Sequence, residues 1–207
     1  MTNKSTTVFV ALAATIVLAL AVGSASANSL SYSHQAFRII WSRLTFSESG
    51  GGIPISCPVT LEGSFHERTL AKERALVAHI TSANVNDPRC QEGHATILDE
   101  SLPWHVVYDS FSGDLPDITS VRHLLIGAAF EVEPGLEIRC LAETSVQYPA
   151  AGEATREAGG NITSLIPDSL LAIPATGESC PALGIFAGSG QVWVQGGTET
   201  RVNLSLI

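Results

Sequence analysis

The chain has 207 residues, 45% of them hydrophobic and 15% charged, with a formal net charge of −9 and four cysteines. That acidic balance argues against a nucleic-acid partner, whose phosphates call for lysine and arginine, and against docking on anionic membrane surfaces. The length suits one domain with a sizeable core, and all-β domains often reach this size.

The first segment reads as an export signal. Lys4 supplies a positive start, Val8 to Val22 is an apolar run broken only by Thr15, and Ala25-Ser26-Ala27 has the small-x-small pattern that signal peptidase cleaves. The run of about 15 residues is shorter than the roughly 20 needed to span a bilayer. Residues 1–27 are therefore expected to be a cleaved signal peptide, and 28–207 a single secreted domain with no stable membrane span after cleavage.

Downstream, period-two alternation recurs and helical periodicity is scarce. Residues 37–46, FRIIWSRLTF, place Phe37, Ile39 and Trp41 on one face of a strand. Past Gly50-Gly51-Gly52, residues 53–65 alternate cleanly, with Ile53, Ile55, Cys57, Val59, Leu61 and Phe65 in the apolar register. Residues 66–79 carry helix formers and charges. Their apolar residues make no i, i+3, i+4, i+7 stripe, so a polar hairpin excursion is expected there. The segments ALVAHITSANV, HATIL, WHVVYDSF and VRHLLIGAAFEV then read as four strands, rich in β-branched and aromatic residues. Turn signals at Asn86-Asp87-Pro88, Gly93, Ser112-Gly113-Asp114 and Glu133-Pro134-Gly135 separate them. LEIRCL follows, and then a Gly- and Ala-rich stretch from Ala150 to Gly160. Residues 191–195 and 200–207 read as a closing hairpin across Gly196-Gly197. The expected fold is all-β, an antiparallel sandwich or barrel of about nine or ten strands.

The four cysteines, Cys57, Cys90, Cys140 and Cys180, lie too far apart for the short ligand spacing of zinc sites. In an exported chain an even number of thiols is expected to pair. Cys57–Cys90 with Cys140–Cys180 is the preferred connectivity, because each link then closes within one half of the chain.

Other chemistry is sparse. His66, His79, His94, His105 and His123 lie in or beside predicted strands, with no His-x-His pair to put two imidazoles on one face. His34 is isolated. Ser189 in AGSGQ lacks the nucleophile-elbow spacing and reads as a turn. Asp114 and Asp117 are too few carboxylates for a calcium loop. No metal and no cofactor is expected. Trp104 and Tyr108, which share a strand face, and Trp193 are the candidate aromatic contacts to a ligand. The competing reading places Trp104 as a plug in the core.

The strings CPVTLEGSFHERT (57–69), ESLPWHVVYDSFSGDLPDIT (100–119) and GSGQVWVQGG (188–197) resemble those of a group of uncharacterised secreted bacterial proteins. The resemblance spans nearly the whole mature region. More remotely, a cysteine strand, a second cysteine and then Leu102-Pro103-Trp104 are similar to alkane-oxidation-activator-like secreted proteins of biofilm surfaces. Neither resemblance implies a catalytic residue. Together these readings predict a secreted, disulfide-stabilised structural or binding protein, outside the cell or at its surface, with an extracellular glycan or protein as partner. The rivals are a carbohydrate-binding module and a secreted hydrolase assembled only by folding, from Asp109, Asp114 and a histidine.

Overall fold

The computed structural model describes residues 29–48, 54–71, 74–114, 117–133, 139–158, 160–167, 175–176, 180, 184–196 and 200–206. Residues 1–27, expected from the sequence to be a signal peptide, lie outside the described residues. Among those described, no helix is long and apolar enough to cross a membrane.

The strands run in chain order as β1 (Ser29–Tyr32), β2 (Ala36–Glu48), β3 (Ile55–Phe65), β4 (Thr69–Ala71), β5 (Leu76–Val85), β6 (His94–Ile97), β7 (Trp104–Asp114) and β8 (Asp117–Ile126). They continue as β9 (Ala129–Glu133), β10 (Cys140–Glu143), β11 (Ala150–Arg156), β12 (Ile162–Pro167), β13 (Ala175–Thr176), β14 (Gly184–Ala187), β15 (Gly190–Val194) and β16 (Leu204–Leu206). Two short 3₁₀ turns, Asp87–Arg89 and Asp99–Ser101, complete the described elements.

Eight strands close on themselves. In the order β2, β3, β5, β7, β8, β11, β12, β15 each pairs antiparallel with the next, and β15 returns to β2. This is an up-and-down barrel, which removes exposed sheet edges by closure. Between sandwich and barrel, the pairing selects the barrel. Six of its strands, β2, β3, β5, β7, β8 and β15, fall on segments read as strands from the sequence, β11 and β12 do not, β14 pairs along β2, and the other short strands build two caps.

Alternation in the sequence becomes inside and outside. Along β3 every odd residue from Ile55 to Phe65 is buried, Cys57 among them. Phe37, Ile39, Trp41, Leu44 and Phe46 on β2 face the same interior, with a register shift between Trp41 and Leu44 that keeps the apolar side inward. Gly190 on β15 sits opposite Trp41, and a Cβ there would collide with the indole, so only glycine leaves room for that ring. Trp104 is 0% exposed and donates its indole N–H to Ser101 Oγ at 2.7 Å. It packs against Phe130 as part of the core.

One barrel end is covered by the sheet β16-β1-β4, which buries Leu30, Tyr32 and Leu204. The other is covered by β13-β10-β9-β6, whose Phe130 packs edge-on or tilted against Phe46, Phe186 and Trp104. Both disulfides anchor this second cap. Cys57–Cys90 joins β3 to the segment before β6, and Cys140–Cys180 ties β10 to the chain beyond β13. The connectivity is the one expected.

Residues 66–79 hold no helix among those described, in line with the excursion expected there; β4, which pairs with β1, and the start of β5 occupy them. Two local expectations change. The segment 121–132, expected as one strand, is divided between β8 and β9. The chain breaks at Gly127, whose φ of 86° favours glycine, and β9 leaves the barrel to join β6 and β10. The closing hairpin also opens almost at once. Trp193 bridges Arg201, but Asn203 bridges Asn161 and β16 departs to pair with β1. The reason is that β15 already has β2 and β12 on its edges. The β12–β15 register is a single pair, Leu165 with Gly190, and residues 201–203 bridge the two strands beyond it.

Candidate internal cavity

The barrel interior is not uniformly filled. On β8 and β11 the inward register pairs Val121 with Ala154, His123 with Gly152 and Leu125 with Ala150. On β7, Tyr108 and Val106 continue that register beside His123 and Leu125. Three small residues on β11 therefore face a wall of large ones on β2 and β3. The mismatch leaves an apolar cavity of about 130 Å³, lined by, among others, Phe37, Trp41, Leu61, His123, Gly152 and Ala154. Several inward residues on this side, including Val106, Leu125, Ala150 and Gly152, keep accessible surface although they point into the barrel.

His123 is the polar feature of the wall. Its Nε2 lies 2.9 Å from the hydroxyl of Tyr32, which reaches in from the cap strand β1. Tyr32 is held by a stacked contact with Phe65, ring centres 3.9 Å apart. Burial, followed by the neighbouring Tyr108, pushes the Tyr32 phenol up from its ordinary value, so it stays protonated and donates to the imidazole. That assignment leaves the ring proton on Nδ1, which has no protein partner among the described residues. Burial lowers the His123 pKa from 6.5 to about 4, because a charged imidazole here would lose its water without gaining an anion. The ring is neutral across the physiological range. A second donor, the Trp41 indole N–H, is buried without a hydrogen-bond partner among the described residues, an arrangement that costs about 1–3 kcal/mol for a neutral group.

The remaining sequence candidates lie elsewhere. Tyr108 is buried in the barrel with its ring 6.5 Å from that of His123. Trp104 presents no ring face to solvent. Trp193 is half-buried, with the Arg201 guanidinium 3.6 Å from its ring centre. The three aromatic residues therefore form no common strip. Asp109 lies on the barrel exterior between Arg74 at 3.8 Å and Arg122 at 3.4 Å, and Asp114 faces Asp117 across the β7–β8 hairpin. No histidine approaches either aspartate within hydrogen-bond distance among the described residues. No group of three His, Cys, Asp or Glu residues among them is arranged to hold a metal ion.

The cavity was missed in the sequence because its signal is negative. Ala150, Gly152 and Ala154 alternate with Ala151, Glu153 and Thr155 in period two, but small residues score low for strand formation. His123, alone among the six histidines, sits within a strand two residues after one inward apolar residue and two before another.

The fold and cavity together define a class: an up-and-down antiparallel barrel with a capped, apolar interior. Comparison with family models, curated proteins and solved structures finds no match for this chain.

Proposed function

We propose that this chain is an exported binding protein whose barrel interior receives a small, mainly apolar molecule carrying one hydrogen-bonding oxygen. The single observation that carries the reading is the hollowed β8–β11 wall, where His123 sits in the lining of an otherwise hydrocarbon cavity of about 130 Å³. An engineered apolar cavity of about 150 Å³ stays dry and takes up benzene, so the scale is that of one small ring or a short chain. Such sites are typically apolar with a few placed polar groups that orient the ligand.

Export is part of the proposal. It is supported by the leader pattern of residues 1–27 and by two disulfides, which persist in oxidising compartments. The resemblances to uncharacterised secreted bacterial proteins and, more remotely, to secreted proteins of biofilm surfaces belong to the same reading. Trp104 and Tyr108, buried in the barrel, are unavailable for stacking on a sugar at the surface, which favours an interior ligand over the carbohydrate-binding alternative.

The test is a thermal-shift and calorimetric titration of the mature protein with benzyl alcohol, phenol and 2-heptanone. Wild type is expected to saturate with at least one of them, whereas Ala154→Leu, which fills the cavity, is expected to lose that binding while keeping its circular dichroism. Ala150→Leu serves if Ala154→Leu does not fold. Absence of saturable uptake by all three probes, or equal uptake by the filled barrel, overturns the proposal.

A further inference from the structure

The outer surface carries a second cluster that the cavity does not explain. His79 on β5 and His105 on β7 are direct cross-strand partners. The next residue on β5, Ile80, and the one before His105 on β7, Trp104, are buried in the barrel, so both imidazoles project outward. Their ring centres are 4.9 Å apart. His66, just past the end of β3, stands on the other side of His79 at 4.4 Å.

These rings differ from the other histidines. His34 contacts Ser33 Oγ, His94 contacts Asp87 and His123 contacts Tyr32, whereas the rings of His66, His79 and His105 have no hydrogen bond or ion pair to protein among the described residues. Burial first, and then the neighbouring His66 and His105, lower the His79 pKa from its ordinary value, so protons compete weakly for that ring.

The spacing matches a chelate. Two imidazoles bound to one ion at about 2.0–2.1 Å hold their ring centres roughly 4.5–5 Å apart. Adjacent antiparallel strands fix both rings on one face, so little ordering is needed on binding. The three rings stand in a row rather than around one point, which agrees with the absence of a three-donor group among the described residues.

We propose that His79 and His105 form a two-imidazole surface site for a divalent transition-metal ion of the copper, nickel or zinc type, with water in the remaining coordination positions. Imidazole suits these ions, and copper(II) binds most tightly of the three. His66 flanks the pair as an interchangeable neighbour to His79.

The experiment is calorimetric titration of the tag-free mature protein with Cu²⁺, Ni²⁺ and Zn²⁺ separately at pH 7.5. One site per chain is expected, tightest for Cu²⁺. His79→Ala is expected to abolish it, His105→Ala to weaken it by about tenfold or more, and His94→Ala to leave it unchanged. His79→Gln and His105→Gln repeat the test if an alanine variant loses its fold by circular dichroism. Absence of saturable uptake of any of the three ions, or a site that survives both His79→Ala and His105→Ala, overturns the proposal. Neither result bears on the cavity, which lies on the opposite side of the barrel wall.

Discussion

The β2–β3 wall and the β8–β11 wall are parts of one barrel built on opposite principles. The first presents Phe37, Ile39, Trp41, Leu44, Val59, Leu61 and Phe65 to the interior, all buried, and Cys57 in the same register is crosslinked to Cys90. The second presents Ala150, Gly152, Ala154 and a neutral imidazole. Dense packing on one side supplies stability, and that stability supports a void on the other. The difference teaches where each kind of perturbation is felt: bulk removed from the first wall is lost stability, whereas bulk added to the second is lost space.

The largest way to break the contrast is to hollow the packed wall. Trp41→Ala should cost about 3–5 kcal/mol, read as a lowered urea midpoint with an unchanged slope. Gly190 faces the vacated volume, so some relaxation there would bring the cost toward the lower figure. Next comes the Cys57–Cys90 link, which spans a separation of 33 residues. The Cys57→Ala, Cys90→Ala double variant should lose roughly 3.5–4 kcal/mol by the chain-entropy relation, measured under non-reducing conditions against wild type.

The hollowed wall is sensitive to protons instead. With His123 held at about 4 in the folded chain against 6.5 unfolded, the unfolded state binds the proton first as pH falls. Stability is therefore unaffected above pH 6.5, declines between 6.5 and about 4, and levels off below, a total on the order of 3 kcal/mol. A pH series of unfolding free energies should show this slope in wild type, and His123→Leu should remove that part of it. The smallest effect sharpens the comparison. Tyr32→Phe keeps the ring stacked on Phe65 but withdraws the hydroxyl from His123 Nε2, and should cost about 1–2 kcal/mol for the buried acceptor left unpaired. A matched loss in His123→Leu, with no further loss in the double variant, would show that the two side chains act as one unit.

Much of the barrel was legible because its strands announce themselves locally. β2 and β3 alternate large apolar residues with polar ones, and a half-buried strand has no other period. The cysteine pairing followed from an even count of thiols and their order along the chain. Other features were hidden in the sequence for particular physical reasons. The inward face of β11 is alanine and glycine, whose small side chains carry almost no propensity signal. The β8–β9 break hangs on one glycine at positive φ, and nothing short of the backbone path distinguishes it from a glycine inside a continuous strand. Trp104 reads equally as a binding aromatic or as a plug, because alternation says which residues share a face but not which face is inside.

The sequence by itself determined an all-β chain, an apolar register that includes Cys57, and paired thiols, since each depends on neighbours one or two residues away or on the number and order of the cysteines. Only the tertiary structure decided that the sheet closes, that the final segment leaves β15 to join β1, and that His123 meets Tyr32 across a separation of 91 residues. Those outcomes depend on which strand edges are already occupied and on how side-chain volumes sum across the barrel. Both are properties of the assembled ring, and no single stretch of the chain carries them.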